Sequence, residues 1–203
     1  MEASLYPITK RLFDLFFSAL GLIVLSPVLL IITAAIKLES RGPALYKGTR
    51  VGLNGVLLKM NKFRTMVINA DKIGGSSTPE DDPRITNVGR FLRHYKLDEL
   101  PQLINVFKGE MSFVGPRPQV KWAVDLYTPV ERQVLTVRPG ITDYASLRFP
   151  NEGEILKGST DPDKDYMEKI HPEKMRLSLE YIRDRSMLLD IKIIFQTLAT
   201  IVK

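Results

Sequence analysis

The strongest restriction on how this chain folds is the run LFFSALGLIVLSPVLLIITAAI, residues 15–36, which is 22 residues without a charge. That length is enough to cross about 30 Å of hydrocarbon. It is too long for the apolar core of a signal peptide, and no small-residue cleavage site ends it. Hydropathy alone reads it as one spanning helix. Ser26-Pro27 at its midpoint argues otherwise. A proline inside a helix removes a backbone donor and collides with the preceding turn. The serine hydroxyl can satisfy a carbonyl released by the break. Each half, at about 1.5 Å per residue, reaches roughly 16 Å, or the bilayer centre. Lys10 and Arg11 precede the run, and Lys37, Arg41, Lys47 and Arg50 follow it. Basic flanks mark the cytoplasmic side, and here both ends carry them. A helix-break-helix hairpin that enters and leaves one leaflet satisfies both facts. A kinked spanning helix satisfies only the proline.

Charge agrees with a membrane surface. Residues 1–65 hold nine Lys/Arg against three Asp/Glu, and the rest of the chain balances at 20 of each, so the whole net charge of +6 flanks the apolar run. That distribution suits anionic lipid or a phosphorylated substrate, and it argues against a nucleic-acid groove. There is no cysteine and there are two histidines, His94 and His171. Any metal would therefore be a hard ion held by oxygen, such as Mg2+.

The expected fold is α+β and mostly helical, with a membrane-associated re-entrant hairpin over residues 1–40 and a cytoplasmic globular domain over 41–203. Residues 42–66 alternate around GLNG and predict a β-hairpin. Residues 69–86 read as a loop. NVGRFLRHYKL has helical spacing, and a short helix is predicted from Pro101 to a stop at Gly109. Residues 119–136 are helical in pattern, VRPGITDYASLRF reads as a turn with strand-like flanks, and 172–185 as a charged amphipathic helix. Met187–Val202 is an apolar helix for the core or for the membrane interface.

Four stretches carry chemistry. In KLDELPQ, Asp98 and Glu99 stand just before a helix. There acids complement the helix dipole, and an ionised carboxylate can attack phosphorus or ligate Mg2+. Neighbours on a helix point about 100° apart, which favours separate roles. In MSFVGPRP, Gly115 permits close backbone approach, two prolines stiffen the loop, and Arg117 offers a fork for phosphate. KFRTM puts Lys62 and Arg64 on one side of a strand and Phe63 on the other. DDPRITNVGRFLR adds Arg84, Arg90 and Arg93. Singly, each of these fits an ordinary solvated surface. Together with a membrane hairpin they fit the joining of a lipid phosphate to a soluble phosphorylated donor.

In order, KRLFD, Ser26-Pro27, KFRTM, DPRITNVGRFLR, LDELPQLINVFKGEMSFVGPRP and RPGIT resemble the bacterial sugar transferases, the monotopic phosphoglycosyl transferases, in their small catalytic-core form. The resemblance implies transfer of a sugar-1-phosphate from a UDP-sugar to undecaprenyl phosphate with release of UMP, the first membrane step of glycoconjugate assembly. It implies a location at the bacterial inner membrane, facing the cytoplasm. It also implies that Asp98 is the nucleophile of a covalent phosphosugar intermediate. Glu99 is its partner, placing Mg2+ or accepting a proton. Asp98 is the expected Mg2+ ligand, with Glu99 the second candidate. Arg117 matches the family's phosphate-binding arginine, and Lys62, Arg64 and Arg84 are further phosphate or nucleotide contacts. Ser26 and Pro27 match the break of the re-entrant helix. The expected partners are the UDP-sugar, undecaprenyl phosphate and membrane lipid, with no nucleic acid; a homodimer is compatible. Two positions depart from the pattern. Gly48 stands where Gln is common, and Asp143 follows RPGIT where Gly is usual, in a region expected near the sugar. The alternative is a non-catalytic membrane-anchored scaffold of the same fold.

Overall fold

The computed structural model describes residues 2–201, so Val202, the expected end of the last helix, lies outside the described residues. The apolar run forms two helices, α1 (Glu2–Val24) and α2 (Ser26–Glu39), which meet at 60°. The break falls at Leu25, with Pro27 in the first turn of α2, where its missing N–H costs no hydrogen bond. Ser26 Oγ donates to the Ile23 carbonyl at 2.8 Å, satisfying one group at the end of α1. No single described helix is long and apolar enough to cross a membrane. Leu12, Phe16, Ile23, Leu30 and Ile31 are all exposed.

KRLFD ties α1 to the rest of the chain. Arg11 donates to the Val106 and Phe107 carbonyls at 2.7 and 2.9 Å, capping the C-terminus of α5 (Gln102–Lys108). Asp14, almost fully buried, accepts from Ser112 Oγ and the Phe113 N–H, both at 3.1 Å. Gly21 lies against the Leu103 side chain, so α1 packs directly on the helix that follows the acid pair.

The predicted hairpin is present: β1 (Leu45–Val51) pairs antiparallel with β2 (Leu57–Phe63). Its turn places Asn54 and Gly55 at φ 54° and 79°, left-handed values that those two residue types accept. Residues 69–86 are a loop interrupted by one helical turn, α3 (Ala70–Ile73). The helix α4 (Asn87–His94) starts where Thr86 Oγ1 accepts from the Gly89 N–H at 3.0 Å. Gly89 is pressed onto the backbone of Thr65, where a side chain would collide. Ile32 and Ile36 of α2 share a core with Phe63 and Leu92, joining the bent helix pair to strand and helix.

A second sheet was not foreseen. β3 (Ser112–Val114) and β4 (Gly140–Thr142) pair in parallel. Between them, residues 119–136 are not one helix. They split into α6 (Lys121–Asp125) and a 3-10 stretch, Glu131–Thr136, on either side of Pro129. The second half of VRPGITDYASLRF is α7 (Tyr144–Arg148), capped by Asp143. The short α8 (Glu152–Ile155) and α9 (Pro162–Lys169) lead to α10 (His171–Asp184). The last described helix is α11 (Met187–Ile201). It takes both expected roles: Ile193 is fully buried, while Leu188, Phe195 and Leu198 face outward. Tyr6 and Lys10 of α1 both meet Asp190 of α11, which also accepts from the Tyr181 hydroxyl at 2.8 Å.

Candidate active site

Asp98 and Glu99 do not lie in the first turn of α5. They occupy a separate 3-10 turn, Leu97–Glu99, and Pro101 is the residue capping the helix rather than its first member. The turn is entered through Lys96 at φ 55°, a left-handed conformation that costs a lysine about 1–2 kcal/mol. A non-glycine residue held there marks a segment whose geometry is imposed by its surroundings.

The two carboxylates share one cation. Lys62 Nζ lies 2.9 Å from Glu99 Oε1 and 3.8 Å from Asp98 Oδ2. Arg117 then grips Glu99 with both prongs: Nη1 donates to Oε2 at 3.2 Å and Nη2 donates to Oε1. Such a fork is the strongest form of carboxylate recognition. Lys62 and Arg117, drawn from β2 and from the loop after β3, therefore converge on the acid pair.

The neighbours separate the two acids electrostatically. Burial pushes the Asp98 carboxyl up, against the pull of Lys62, and the adjacent Glu99 charge pushes the same way. Asp98 lies outside the first turn of α5, so burial and its charged neighbours, rather than that helix's dipole, set its environment. Burial also acts upward on Glu99, but Arg117 and Lys62 outweigh it and hold that carboxyl well below the usual range. Glu99 is accordingly a fixed anion and a weak base.

Two glycine motifs brace Arg117. Gly115 donates to the Thr142 carbonyl at 3.0 Å and Gly140 donates to the Pro116 carbonyl at 3.1 Å. A Cβ on Gly115 or Gly140 would collide with the backbone of the other segment. Arg117 Nη1 also donates to the Ile141 carbonyl at 3.2 Å. VGPRP and RPGIT are thus one device, a rigid crossing that aims a guanidinium.

The other sequence candidates go elsewhere. Arg64 turns to the end of α2, donating to the Ser40 and Arg41 carbonyls at 3.0 and 2.6 Å and to Ser40 Oγ at 3.0 Å. Strand β2 has ended at Phe63, so alternation no longer pairs Arg64 with Lys62. Arg84 spends its guanidinium on Asp82, at 2.6 and 2.9 Å, and on the Ala70 carbonyl. Both line the cleft, but neither makes an ion pair with the acid turn. Asp143 is buried and caps α7, accepting from Ser146 N–H and Oγ at 2.7 and 2.8 Å; its neighbour Ser146, not Asp143, lines the cleft. Ser26 and Pro27 are at the hairpin break, remote from the acids in sequence and serving the bend.

The cleft has a volume of about 1500 Å³ and is lined by eight basic side chains against three acidic ones. Its basic members include Arg93 and Lys96 beside Asp98, which hydropathy reads as a solvated helix face. One wall is apolar and is built from Phe17, Gly21 and Leu25 of the hairpin region and from Ile194 and Leu198 of α11. Among the described residues no three Asp, Glu or His side chains cluster as a metal cage. Both Glu99 oxygens already face Arg117 and Lys62, which leaves Asp98 as the freer hard donor. That suits an ion such as Mg2+, which takes one or two carboxylates and completes its shell with substrate phosphates and water.

The family model for bacterial sugar transferases matches residues 5–203. The UDP-glucose:undecaprenyl-phosphate glucose-1-phosphate transferase of Escherichia coli (strain K12) is 42% identical over 192 residues, covering 93% of this chain and 39% of the relative. A UDP-N-acetylgalactosamine-undecaprenyl-phosphate N-acetylgalactosaminephosphotransferase of Aeromonas hydrophila is 33% identical over 204 residues, covering 99% of this chain and 45% of that one. This chain thus spans less than half the length of either. The exopolysaccharide production protein PSS of Rhizobium leguminosarum bv. phaseoli is 39% identical over 200 residues, with 95% and 94% covered. The match runs through the hairpin, the acid turn and the glycine crossing alike, and the chain belongs to the bacterial sugar transferase family.

Proposed function

We propose that this protein transfers a sugar-1-phosphate from a UDP-sugar to undecaprenyl phosphate through a covalent intermediate on Asp98. One observation carries the proposal. Asp98 is buried 3.8 Å from Lys62, beside a Glu99 locked by Arg117, in a basic cleft whose other wall is the apolar hairpin. A diphosphate fits the basic end, and a polyprenyl chain fits the apolar wall.

In the first half-reaction an Asp98 oxygen attacks the phosphorus attached to the sugar. An O–P bond forms, the diphosphate bridge breaks, and UMP leaves with the bonding electron pair. In the second, a lipid phosphate oxygen attacks the same phosphorus, and the Asp98 carboxylate departs as it began. Lys62 lies against both acids and meets the negative charge of the donor. Glu99, gripped by both prongs of Arg117 and by Lys62, holds the two cations in place beside Asp98. Mg2+, when bound by Asp98 and the substrate phosphates, would neutralise the diphosphate and the leaving UMP. The bent α1–α2 pair enters and leaves one leaflet at the cytoplasmic face of the membrane, setting the cleft at the lipid headgroups.

The test is UMP release from UDP-sugars by the full chain with undecaprenyl phosphate, beside Asp98→Asn. We expect no turnover in the variant, and a donor-dependent phosphosugar adduct on residue 98 of the unmodified chain by mass spectrometry. Turnover by the folded variant, or an adduct at another residue, ends the proposal.

A further inference from the structure

A buried Lys174 and a half-buried Glu152 form a second charged pair in the same cleft, with Nζ 2.7 Å from Oε1. The Lys174 side chain is 8% exposed and the Glu152 side chain 29%. Lys174 Nζ also stands 5.3 Å from the centre of the Tyr166 ring. The Tyr166 hydroxyl accepts from Gln119 Nε2 at 2.8 Å. Gln119 is two residues beyond Arg117, so one loop reaches the acid pair with its first end and this cluster with its second. The other nearby charges are Arg117, whose field reaches both Glu152 and Lys174, and Glu99, which reaches Glu152. All four side chains line the cleft.

A buried ion pair is costly to keep where two apolar residues would pack as well. This one is close to neutral overall, whereas the acid turn is surrounded by a cationic excess. It therefore suits an uncharged, hydroxyl-rich part of the substrate rather than a phosphate. Side by side, a carboxylate and an ammonium present a strong acceptor and a strong donor, the complement of adjacent hydroxyl groups. The Tyr166 ring, buried against Leu156 and Ile170, backs the Lys174 ammonium and fixes where it points.

We infer that Glu152 and Lys174, supported by Tyr166 and Gln119, read the hydroxyl pattern of the transferred sugar. The inference rests on the transferase function proposed above. Substrate discrimination follows from leaving such charged groups unpaired when the wrong epimer binds.

The test measures UMP release by the full chain, with polyprenyl phosphate, across UDP-hexoses that are epimers of one another. Glu152→Gln keeps the shape and removes the charge at the more exposed end of the pair. We expect the kcat/KM ratio between the best donor and its epimer to shrink about 10- to 100-fold, with inhibition by UMP unchanged. Tyr166→Phe, which loses only the Gln119 bond, should shrink the ratio less. An unchanged ratio, with every donor slowed alike, would make the pair a structural strut and overturn the inference. UMP inhibition weakened together with all donors would make it a nucleoside contact and overturn it equally. If the unmodified chain releases UMP from no donor, the transferase function itself fails, a result distinct from either.

Discussion

Adjacent acids with opposite environments should respond oppositely to neutralisation. Asp98 is buried and meets Lys62 only at 3.8 Å, while Lys62 keeps its closer contact at 2.9 Å with Glu99. Replacing Asp98 with Asn removes a poorly solvated charge and leaves the Glu99–Lys62–Arg117 cluster intact. Substitutions that relieve a functional site in this way commonly add about 1 kcal/mol, which in a chain of this size raises Tm by about 2–4 °C. Glu99→Gln does the reverse, breaking the Arg117 fork and leaving Lys62 with only its 3.8 Å contact to Asp98. Breaking a fully buried pair costs about 3–5 kcal/mol. The side chains here keep 15% to 24% of their exposure, so a discounted loss of about 2–3 kcal/mol is expected, or a Tm lower by roughly 5–10 °C.

The pH dependence follows with a definite sign. The folded Asp98 titrates above its ordinary value of 3.8. Between that value and the raised one the unfolded chain has already lost a proton that the folded chain retains. Stability therefore falls as pH rises through the window. The advantage of Asp98→Asn should be absent below about pH 4 and complete above the raised value. Thermal melts of both variants, ligand-free in the same lipid nanodiscs from pH 4 to 8, measure it. A lower Tm for Asp98→Asn, or a gain independent of pH, would refute the account of Asp98 as the strained member of the pair.

Lys96→Gly should relieve the left-handed backbone and raise stability by about 1 kcal/mol, while raising KM for the UDP-sugar because a cation is lost; melts and steady-state kinetics check both. Gly115→Ala should shift the crossing that aims Arg117 and cost about 100-fold in kcat, read as UMP release. Arg64→Lys should lose bonds at the end of α2 and cost about 1–3 kcal/mol in stability, yet leave UMP inhibition unchanged; weakened inhibition would return Arg64 to the phosphate site. Thr9→Cys and Lys47→Cys flank the hairpin. In intact spheroplasts neither should react with an impermeant thiol reagent, and opposite accessibility would establish a spanning helix.

Features that were legible in the sequence are those that a few neighbouring residues decide. Ser26-Pro27 sits within two residues of the actual break, because a proline acts on its own turn. The hairpin was visible in its alternation and in Asn54-Gly55, and α10 in its charged amphipathic spacing. The helix across 119–136 failed because its apolar spacing outvoted Pro129, which divides it. The β3–β4 pair was invisible, since three-residue strands carry no alternation to detect. Its traces were the strand-like flank of VRPGITDYASLRF, where β4 lies, and Gly115, which permits close backbone approach; neither names the partner strand.

The site divides along the same line. Asp98, Glu99, Lys62 and Arg117 could be picked out as separate motifs, yet what makes them a site is pairing across 18 and 37 residues. Residue type cannot forecast that kind of pairing. Arg64 and Arg84 show the converse: an arginine that fits phosphate fits a helix end or an aspartate equally well, and its nearest acceptor decides. Lys174 sits in a helix whose sequence reads as charged and amphipathic, and the fold places this lysine on its inward side against Glu152. The hairpin closes the argument. Arg11 caps α5, Asp14 holds β3, and Gly21 admits Leu103, so three contacts made by the one helix α1 fix the elements that flank Asp98. The acid is thereby held at a fixed position relative to the apolar hairpin. Under the transfer proposed above, in which the acceptor phosphate is fixed at the headgroup layer, that constraint is what brings the nucleophile to its substrate.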